Sequence, residues 1–319
     1  MKNNGVFSSK YSKNSLKLVY FDIQVLDRYF EDPKYLVFYS DYRGSIVLDD
    51  SYQPEDLEEI EYLKDFGLAY KKDNKYDRAV VCFAGDLASL PSKMQSHFHS
   101  FLLDNQKDYY PNYGFYKNLI LGEWEENISI YKALVMEIHY INEMCSAIGI
   151  PKLFLQEYSL DANTKNEMPT SFHTILVPTE KRYYDFVITL EKMVTGNINK
   201  KAFQKDALFI STIESVDDNG YPKGSVTMLA EWMKKNIKLA NIEDDVEKPL
   251  KKLVKERQTP AHKIFENKYD KSIWKKQDDF LREVYIAVRN IRLLLANHPY
   301  CSGVIIPDYL FDGEHIVSY

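Results

Sequence analysis

The chain has 319 residues, 45% of them hydrophobic, which is enough for one large or two ordinary globular cores. No segment approaches the roughly 20 apolar residues of a membrane-spanning helix, and residues 1–13 lack the apolar stretch of a secretory signal. Three widely separated cysteines in apolar surroundings indicate buried thiols in a reducing compartment. We therefore expect a cytoplasmic protein that does not associate with membranes.

The first half of the chain combines strand-forming segments with one long helix. Residues 35–39 and 45–48 are rich in β-forming side chains and flank a short turn sequence, which is typical of a hairpin. Residues 78–84 form a nearly continuous apolar run that predicts a buried strand. Apolar residues at helical spacing predict a helix over 128–148, which Gly149 ends.

The second half is predicted to be largely helical. The spacing of its apolar residues indicates four helices: 180–194, one that begins at Ser225, 246–258 and 276–297. Residues 172–177 have the composition of one more strand. This organisation predicts an α+β protein. A small mixed or antiparallel, β-containing N-terminal domain over residues 1–160 would precede a C-terminal helical bundle over residues 170–319.

Positive charge is concentrated between Lys248 and Lys276. This segment holds ten Lys or Arg against three acidic residues, a net charge of +7 in a chain whose total is −6. Three aromatic residues, Phe265, Tyr269 and Trp274, are interleaved with the lysines. Such a segment suits a polyanion, because lysines neutralise phosphates and aromatic rings can stack on bases. A solvated lysine face over buried aromatic residues explains the pattern equally well.

Helical geometry singles out one arginine in this basic segment. Apolar residues over 246–254 recur at helical spacing, and Arg257 continues the same face. An arginine on an apolar face is expected to pair with a carboxylate or to point into a cleft, because an unpaired buried charge is costly. Pro260 then ends or kinks the helix, and His262 follows across that break.

The segment from Arg257 to His262 reads R-x4-H, with the polar Gln258 directly after the arginine. This spacing resembles the R-x(4–6)-H signature of HEPN domains, which are helical RNases common in prokaryotic toxins and antiviral systems. In that family the motif lies beside the last long helix of a small all-α bundle. The resemblance covers roughly the last 100 to 140 residues. Asn, Asp or His more often follows the arginine in the family, so Gln258 departs from its pattern.

The resemblance implies a metal-independent RNA endonuclease with a toxin or antiphage role and no cofactor. His262 would move the proton of the attacking ribose 2′-OH or of the leaving 5′-oxygen. Arg257 would bind the phosphate bidentately and offset developing charge. Four basic side chains would hold the RNA backbone: Lys251, Lys252, Lys255 and Lys263. Two such bundles pair in the family, which implies a homodimer, and the N-terminal domain would sense, restrain or recruit a protein partner.

Three other interpretations stay open. The basic segment of a non-catalytic module could dock nucleic acid or an acidic protein, with Arg257 and His262 purely structural. Glu266 and Lys268 form an E-x-K pair of the kind that metal-dependent nucleases place on a strand. In addition, a second match to the motif, R-x5-H, runs from Arg292 to His298 within the predicted final helix.

Other chemical signatures are weak or missing from the sequence. It contains no G-x-x-x-x-G-K-[ST], no G-x-G-x-x-G and no G-x-S-x-G. This argues against a P-loop NTPase, a Rossmann dinucleotide site and a hydrolase nucleophile elbow. His97 and His99 could share a metal if they lay on a strand, but their surroundings look helical, so surface histidines are the simpler interpretation.

Overall fold

The computed structural model describes residues 5–10, 15–40, 42–52, 60–123, 127–161, 166–205, 207, 210–237, 241–259 and 268–318. Within these ranges the α-helices are α1 (Val6–Lys10), α2 (Asp27–Glu31), α3 (Ala84–Ser89), α4 (Ser92–Ser100), α5 (Tyr113–Tyr116), α6 (Ile130–Ile148), α7 (Glu180–Met193), α8 (Ser225–Asn236), α9 (Lys248–Gln258), α10 (Ser272–Ala296) and α11 (Asp308–Asp312). The strands are β1 (Leu18–Asp22), β2 (Tyr35–Ser40), β3 (Arg43–Leu48), β4 (Asp65–Lys71), β5 (Asn74–Phe83), β6 (Tyr109–Pro111), β7 (Ile128–Ser129) and β8 (Ile316–Val317). An antiparallel sheet in the N-terminal region and helices in the C-terminal region confirm the predicted α+β class.

The six-stranded sheet is antiparallel and has the order β1-β5-β4-β3-β2, with β6 added beside the end of β4. The predicted hairpin is confirmed as β2 and β3, which pair from Tyr35 with Leu48 to Ser40 with Arg43. Strand β3 pairs with the beginning of β4, and strand β6 pairs with the end of β4. Both strands are therefore neighbours of β4. The sheet therefore grows outward from the β4–β5 pair.

Strand β5 lies between β1 and β4 and is covered on both faces. Val80 and Cys82 pack into one cluster of buried residues, whereas Ala79 and Val81 pack into another on the opposite face. Successive side chains of a strand point to opposite faces, so a strand buried on both faces reads as a continuous apolar run. This geometry explains the apolar run at 78–84 and confirms the predicted buried strand.

Helix α6 is the centre of the helical core. The apolar residues that predict this helix are all buried, namely Ile130, Leu134, Ile138, Ile141 and Cys145. Gly149 follows with φ 87°, a left-handed conformation that suits glycine at the end of a helix. Helix α10 packs directly against α6, and buried residues of α7, α8 and α9 belong to the same core. The helices predicted at 180–194, from Ser225, at 246–258 and at 276–297 are all present with shifted ends.

Most buried residues belong to a sheet core or to a helical core, and a small third cluster lies on the opposite face of the sheet. The sheet core is built mainly from α1, from β1 to β5, and from α3 and α4. The helical core begins at Ile130 and extends to Leu310, so α6 belongs to it although α6 precedes residue 160. The domain boundary near residues 160–170 stays a prediction, and it would separate α6 from the helices that share its core.

Residues 172–177 do not form the predicted strand. Phe172 and Ile175 pack into the helical core, whereas Leu176 and Val177 pack into the sheet core. The prediction is wrong because side chains of α10 satisfy this backbone instead of a neighbouring strand. Gln277 Oε1 accepts from Ile175 N at 2.9 Å, and Trp274 Nε1 donates to Ile175 O at 2.8 Å.

None of the helices in the described ranges combines the length and the apolar character that crossing a bilayer requires.

Candidate functional site

Helix α9 carries Arg257 near its C-terminal end and is held by apolar contacts on one face. Leu250 and Leu253 are fully buried, and so is Val246 in the π-helical turn Glu243–Glu247 that precedes α9. Val254 is partly buried against the same core. The apolar face predicted over 246–254 is therefore confirmed.

Arg257 does not continue this buried face. Its side chain is 49% exposed, and its Nε lies 3.7 Å from Oε2 of Glu191 on α7. Glu191 supplies the carboxylate partner expected for an arginine at this position. The apolar face nevertheless ends before Arg257, because helical spacing does not show where the neighbouring helices stop covering that face. A long arginine side chain in the last turn keeps its guanidinium in water, which avoids the cost of burying the charge.

Glu191 is the member of this site that sequence reasoning missed. Its side chain is largely buried, and its Oε1 accepts a hydrogen bond of 3.0 Å from Oγ1 of Thr195. Because Thr195 holds one carboxylate oxygen, the other is oriented toward Arg257. Glu191 and Arg257 lie on different helices far apart in sequence, and no motif spacing links them, so only the fold brings them together.

Two of the predicted RNA-binding lysines are engaged by carboxylates. Lys251 Nζ lies 2.6 Å from Glu247 Oε1, and Lys252 Nζ lies 2.5 Å from Glu283 Oε2. Lys255 is exposed and forms no ion pair with a described residue. Of the described lysines in the predicted set, Lys255 is therefore the one whose charge is left for a ligand.

The acidic turn before α9 offsets part of the positive segment. Residues 243–247 carry four acidic side chains and no basic one, so the net charge falls from +7 over 248–276 to +3 over 243–276. Further ion pairs join Lys248 to Asp244, Lys271 to Asp77, Lys275 to Asp279 and Lys276 to Glu256. Surface ion pairs contribute roughly 0–1 kcal/mol, so phosphates could exchange with these carboxylates.

The rest of the predicted site lies outside the described residues. His262 and Lys263 fall within 260–267, as does Glu266 of the alternative metal-dependent site. Of the predicted catalytic pair, the structure therefore describes Arg257 alone.

The second match to the motif is structural. Arg292 is buried and forms a bidentate ion pair with the buried Glu137, through Nε to Oε2 and through Nη2 to Oε1 at 3.1 Å. Its Nη2 also donates to Leu310 O at 2.7 Å. His298 precedes a 3-10 turn, where its Nδ1 accepts from Tyr300 N at 3.3 Å. These contacts hold the guanidinium of Arg292 within the fold.

The two histidines of the H-x-H pair lie on helix α4. His97 Nε2 lies 3.2 Å from Val25 O, and burial lowers the pKa of His97. The ring of His99 packs against Phe7 with 6.1 Å between ring centroids. Within the described ranges, no group of three or more His, Cys, Asp or Glu side chains is arranged to hold a metal ion.

Comparisons with models of protein families, with curated proteins and with solved structures gave no match. The resemblance to HEPN domains therefore rests on the R-x4-H spacing and on its position before α10, the longest of the described helices.

Proposed function

We propose that this protein is a cytoplasmic, metal-independent RNA endonuclease with a toxin or antiphage role, in which Arg257 and His262 form the catalytic pair. The observation that supports the proposal is the state of Arg257. Its guanidinium is about half exposed, and its ion pair with the oriented Glu191 spans 3.7 Å. Such a guanidinium is oriented by a neighbouring helix yet remains accessible to a phosphate group.

The proposed chemistry assigns one task to each group. His262 takes the proton of the attacking 2′-OH or gives a proton to the leaving 5′-oxygen, and an imidazole near neutral pH suits both steps. Arg257 donates two hydrogen bonds to the phosphate and offsets the charge that develops on it. The products are a 2′,3′-cyclic phosphate and a free 5′-hydroxyl, and no metal ion takes part.

The proposed RNA contacts involve fewer side chains than the whole basic segment contains. Lys255 is exposed without a described ion pair, and Lys263 follows His262 directly in the sequence, so these two side chains would hold the backbone beside the scissile phosphate. Lys251 and Lys252 would contribute only by exchanging their carboxylate partners for phosphates. The homodimer follows from the resemblance alone, because the apolar face of α9 ends before Arg257.

The test is cleavage of a labelled single-stranded RNA by the full chain with EDTA present. His262→Ala and Arg257→Ala should each lower the rate by about 100-fold or more, the scale expected for a general acid or base and for a charge-stabilising donor. Arg282→Ala is the matched control, because Arg282 is also a half-exposed arginine in an ion pair. It should leave the rate unchanged. RNA with 2′-O-methyl groups should resist cleavage.

Three results would contradict the proposal. RNA binding that weakens with salt but never leads to cleavage would make the protein a non-catalytic module. Cleavage that EDTA stops and Glu266→Ala abolishes would indicate the metal-dependent nuclease. Equal loss of rate in Arg257→Ala and Arg282→Ala would show that Arg257 has no special role.

A further inference from the structure

A cavity of about 280 Å³ lies between the sheet and the C-terminal end of the chain. Strands β4, β5 and β6 supply one side. Helix α10 supplies Asp278, and Ser318 follows directly after strand β8. Four tyrosines line it: Tyr70, Tyr76, Tyr110 and Tyr113. The cavity therefore joins aromatic rings from the sheet region to polar groups from the helical part of the protein.

The strand register explains why these side chains meet. Tyr76 and Arg78 are two residues apart on β5, so they project from the same face of the sheet. Tyr70 pairs with Arg78 across β4 and β5, and Tyr110 pairs with Tyr70 across β6 and β4. Directly paired residues share a face, so one arginine lies among three tyrosines.

Arg78 is buried with two nitrogens unsatisfied. Its residue is 6% exposed, and its Nε and Nη1 are buried and donate no hydrogen bond to any described residue. The Cζ of Arg78 lies 5.7 Å from the centroid of the buried Trp274 ring, which offers a cation–π contact but no acceptor. A buried guanidinium that lacks acceptors is expensive, so it is expected to meet an anion.

The nearby carboxylate of Asp278 is already occupied. It accepts from Tyr76 Oη at 2.8 Å and from Ser318 Oγ, and it lies 3.6 Å from both Lys75 Nζ and Arg282 Nη2. The carboxylate of Asp278 is therefore shared among donors other than Arg78, and Nε and Nη1 of Arg78 have no acceptor among the described residues.

We propose that this cavity binds a small molecule in which a phosphate or carboxylate group is attached to a planar ring. The oxyanion accepts hydrogen bonds from Arg78, whose planar fork matches both groups. The ring lies against the tyrosines, of which Tyr110 and Tyr113 are exposed and accessible to an entering ligand. Because the cavity is below the usual 300–1,000 Å³ of drug-sized sites, the ligand is small.

The test is calorimetric titration of the full chain with phenyl phosphate, benzoate, inorganic phosphate and benzyl alcohol. The two ring-bearing anions should bind and raise the unfolding temperature. Inorganic phosphate and benzyl alcohol each lack one of the two groups, so they should bind at least about tenfold more weakly. The order of phenyl phosphate and benzoate then identifies which oxyanion the site prefers.

Two substitutions locate the binding. Arg78→Met should weaken binding at least about tenfold without lowering the unfolding temperature of the ligand-free protein, because it removes an unpaired buried charge. Arg43→Met is the matched control, since Arg43 lies in the same sheet in an exposed ion pair with Asp65, and it should not change the affinity. If Arg78→Met does not fold, Tyr110→Ala serves as the second variant, and it should weaken binding about fivefold.

The proposal is overturned if neither ring-bearing anion binds, or if both bind equally well to the wild type, to Arg78→Met and to Tyr110→Ala. Inorganic phosphate that binds as tightly as phenyl phosphate would overturn the part of the proposal that concerns the ring.

Discussion

The buried ion pair between Glu137 and Arg292 allows a quantitative prediction. Glu137 on α6 is fully buried and receives two hydrogen bonds from Arg292 on α10 and one of 3.3 Å from Tyr285 Oη. Arg292→Met leaves the carboxylate buried with Tyr285 as its described partner. Removing one member of a buried pair costs about 3–5 kcal/mol, a large part of a typical stability of about 5–15 kcal/mol.

The same substitution should make stability depend on pH in a defined direction. Burial raises the pKa of Glu137, and Arg292 counteracts that rise. Without Arg292 the pKa of Glu137 in the folded state rises further above its value in the unfolded chain. The penalty is therefore absent below the unfolded pKa and grows as pH rises toward the folded pKa. The wild type shares this loss up to its own folded pKa. Between the folded pKa of the wild type and that of the variant, the deficit of the variant should therefore grow by up to about 1.4 kcal/mol per pH unit.

Urea denaturation of the wild type and of Arg292→Met between pH 5 and pH 8 measures both effects. Arg43→Met serves as the control, because its ion pair with Asp65 is exposed on both sides and should contribute at most about 1 kcal/mol. Adding Glu137→Gln to Arg292→Met removes the buried charge and should restore more than half of the loss. A deficit that is below about 1 kcal/mol, that does not change with pH, or that the double variant fails to reduce would refute the reasoning.

Two further predictions concern α6 and its end. Gly149→Ala should lower the free energy of unfolding by about 1 kcal/mol, because Gly149 has a left-handed backbone conformation. Gly303→Ala should leave the free energy of unfolding unchanged, because Gly303 has no positive φ and open space surrounds it. Asn142→Leu should lower the free energy of unfolding by at least about 2 kcal/mol, because the side-chain amide of Asn142 forms hydrogen bonds of 2.9 Å with both N and O of Phe154. Asn297→Leu, at an exposed position, should cost much less. Chemical denaturation measures all four.

The elements that the sequence predicted are those with a strong local pattern. Helix α6 was predictable because its apolar residues repeat at helical spacing over nineteen residues and a glycine ends it. Strand β5 was predictable because burial on both faces leaves a continuous apolar run. Residues 172–177 misled the prediction, since an extended segment that is satisfied by Gln277 and Trp274 has the composition of a strand.

The candidate site was less predictable because its geometry depends on distant residues. Spacing placed Arg257 at the end of α9 but gave no information on Glu191, which orients it, or on the end of the buried face. The charge count indicated a basic segment, yet neighbouring carboxylates such as Glu247 and Glu283 offset part of it. Arg78 carried no signal of its own, because an arginine at the edge of an apolar run is ordinary.

Three arginines in this protein differ in burial and in pairing, and these differences bear on the roles proposed for them. Arg292 is buried and paired with a carboxylate, so its charge is used within the fold. Arg257 is exposed, and its ion pair with Glu191 is long. Its guanidinium can therefore bind a phosphate at little energetic cost, but it does not require a ligand. Arg78 is buried with two nitrogens that no described residue satisfies, which is the state that a ligand-free protein tolerates least. The unsatisfied nitrogens of Arg78 therefore favour its proposed ligand more strongly than the exposed guanidinium of Arg257 favours the proposed RNA chemistry.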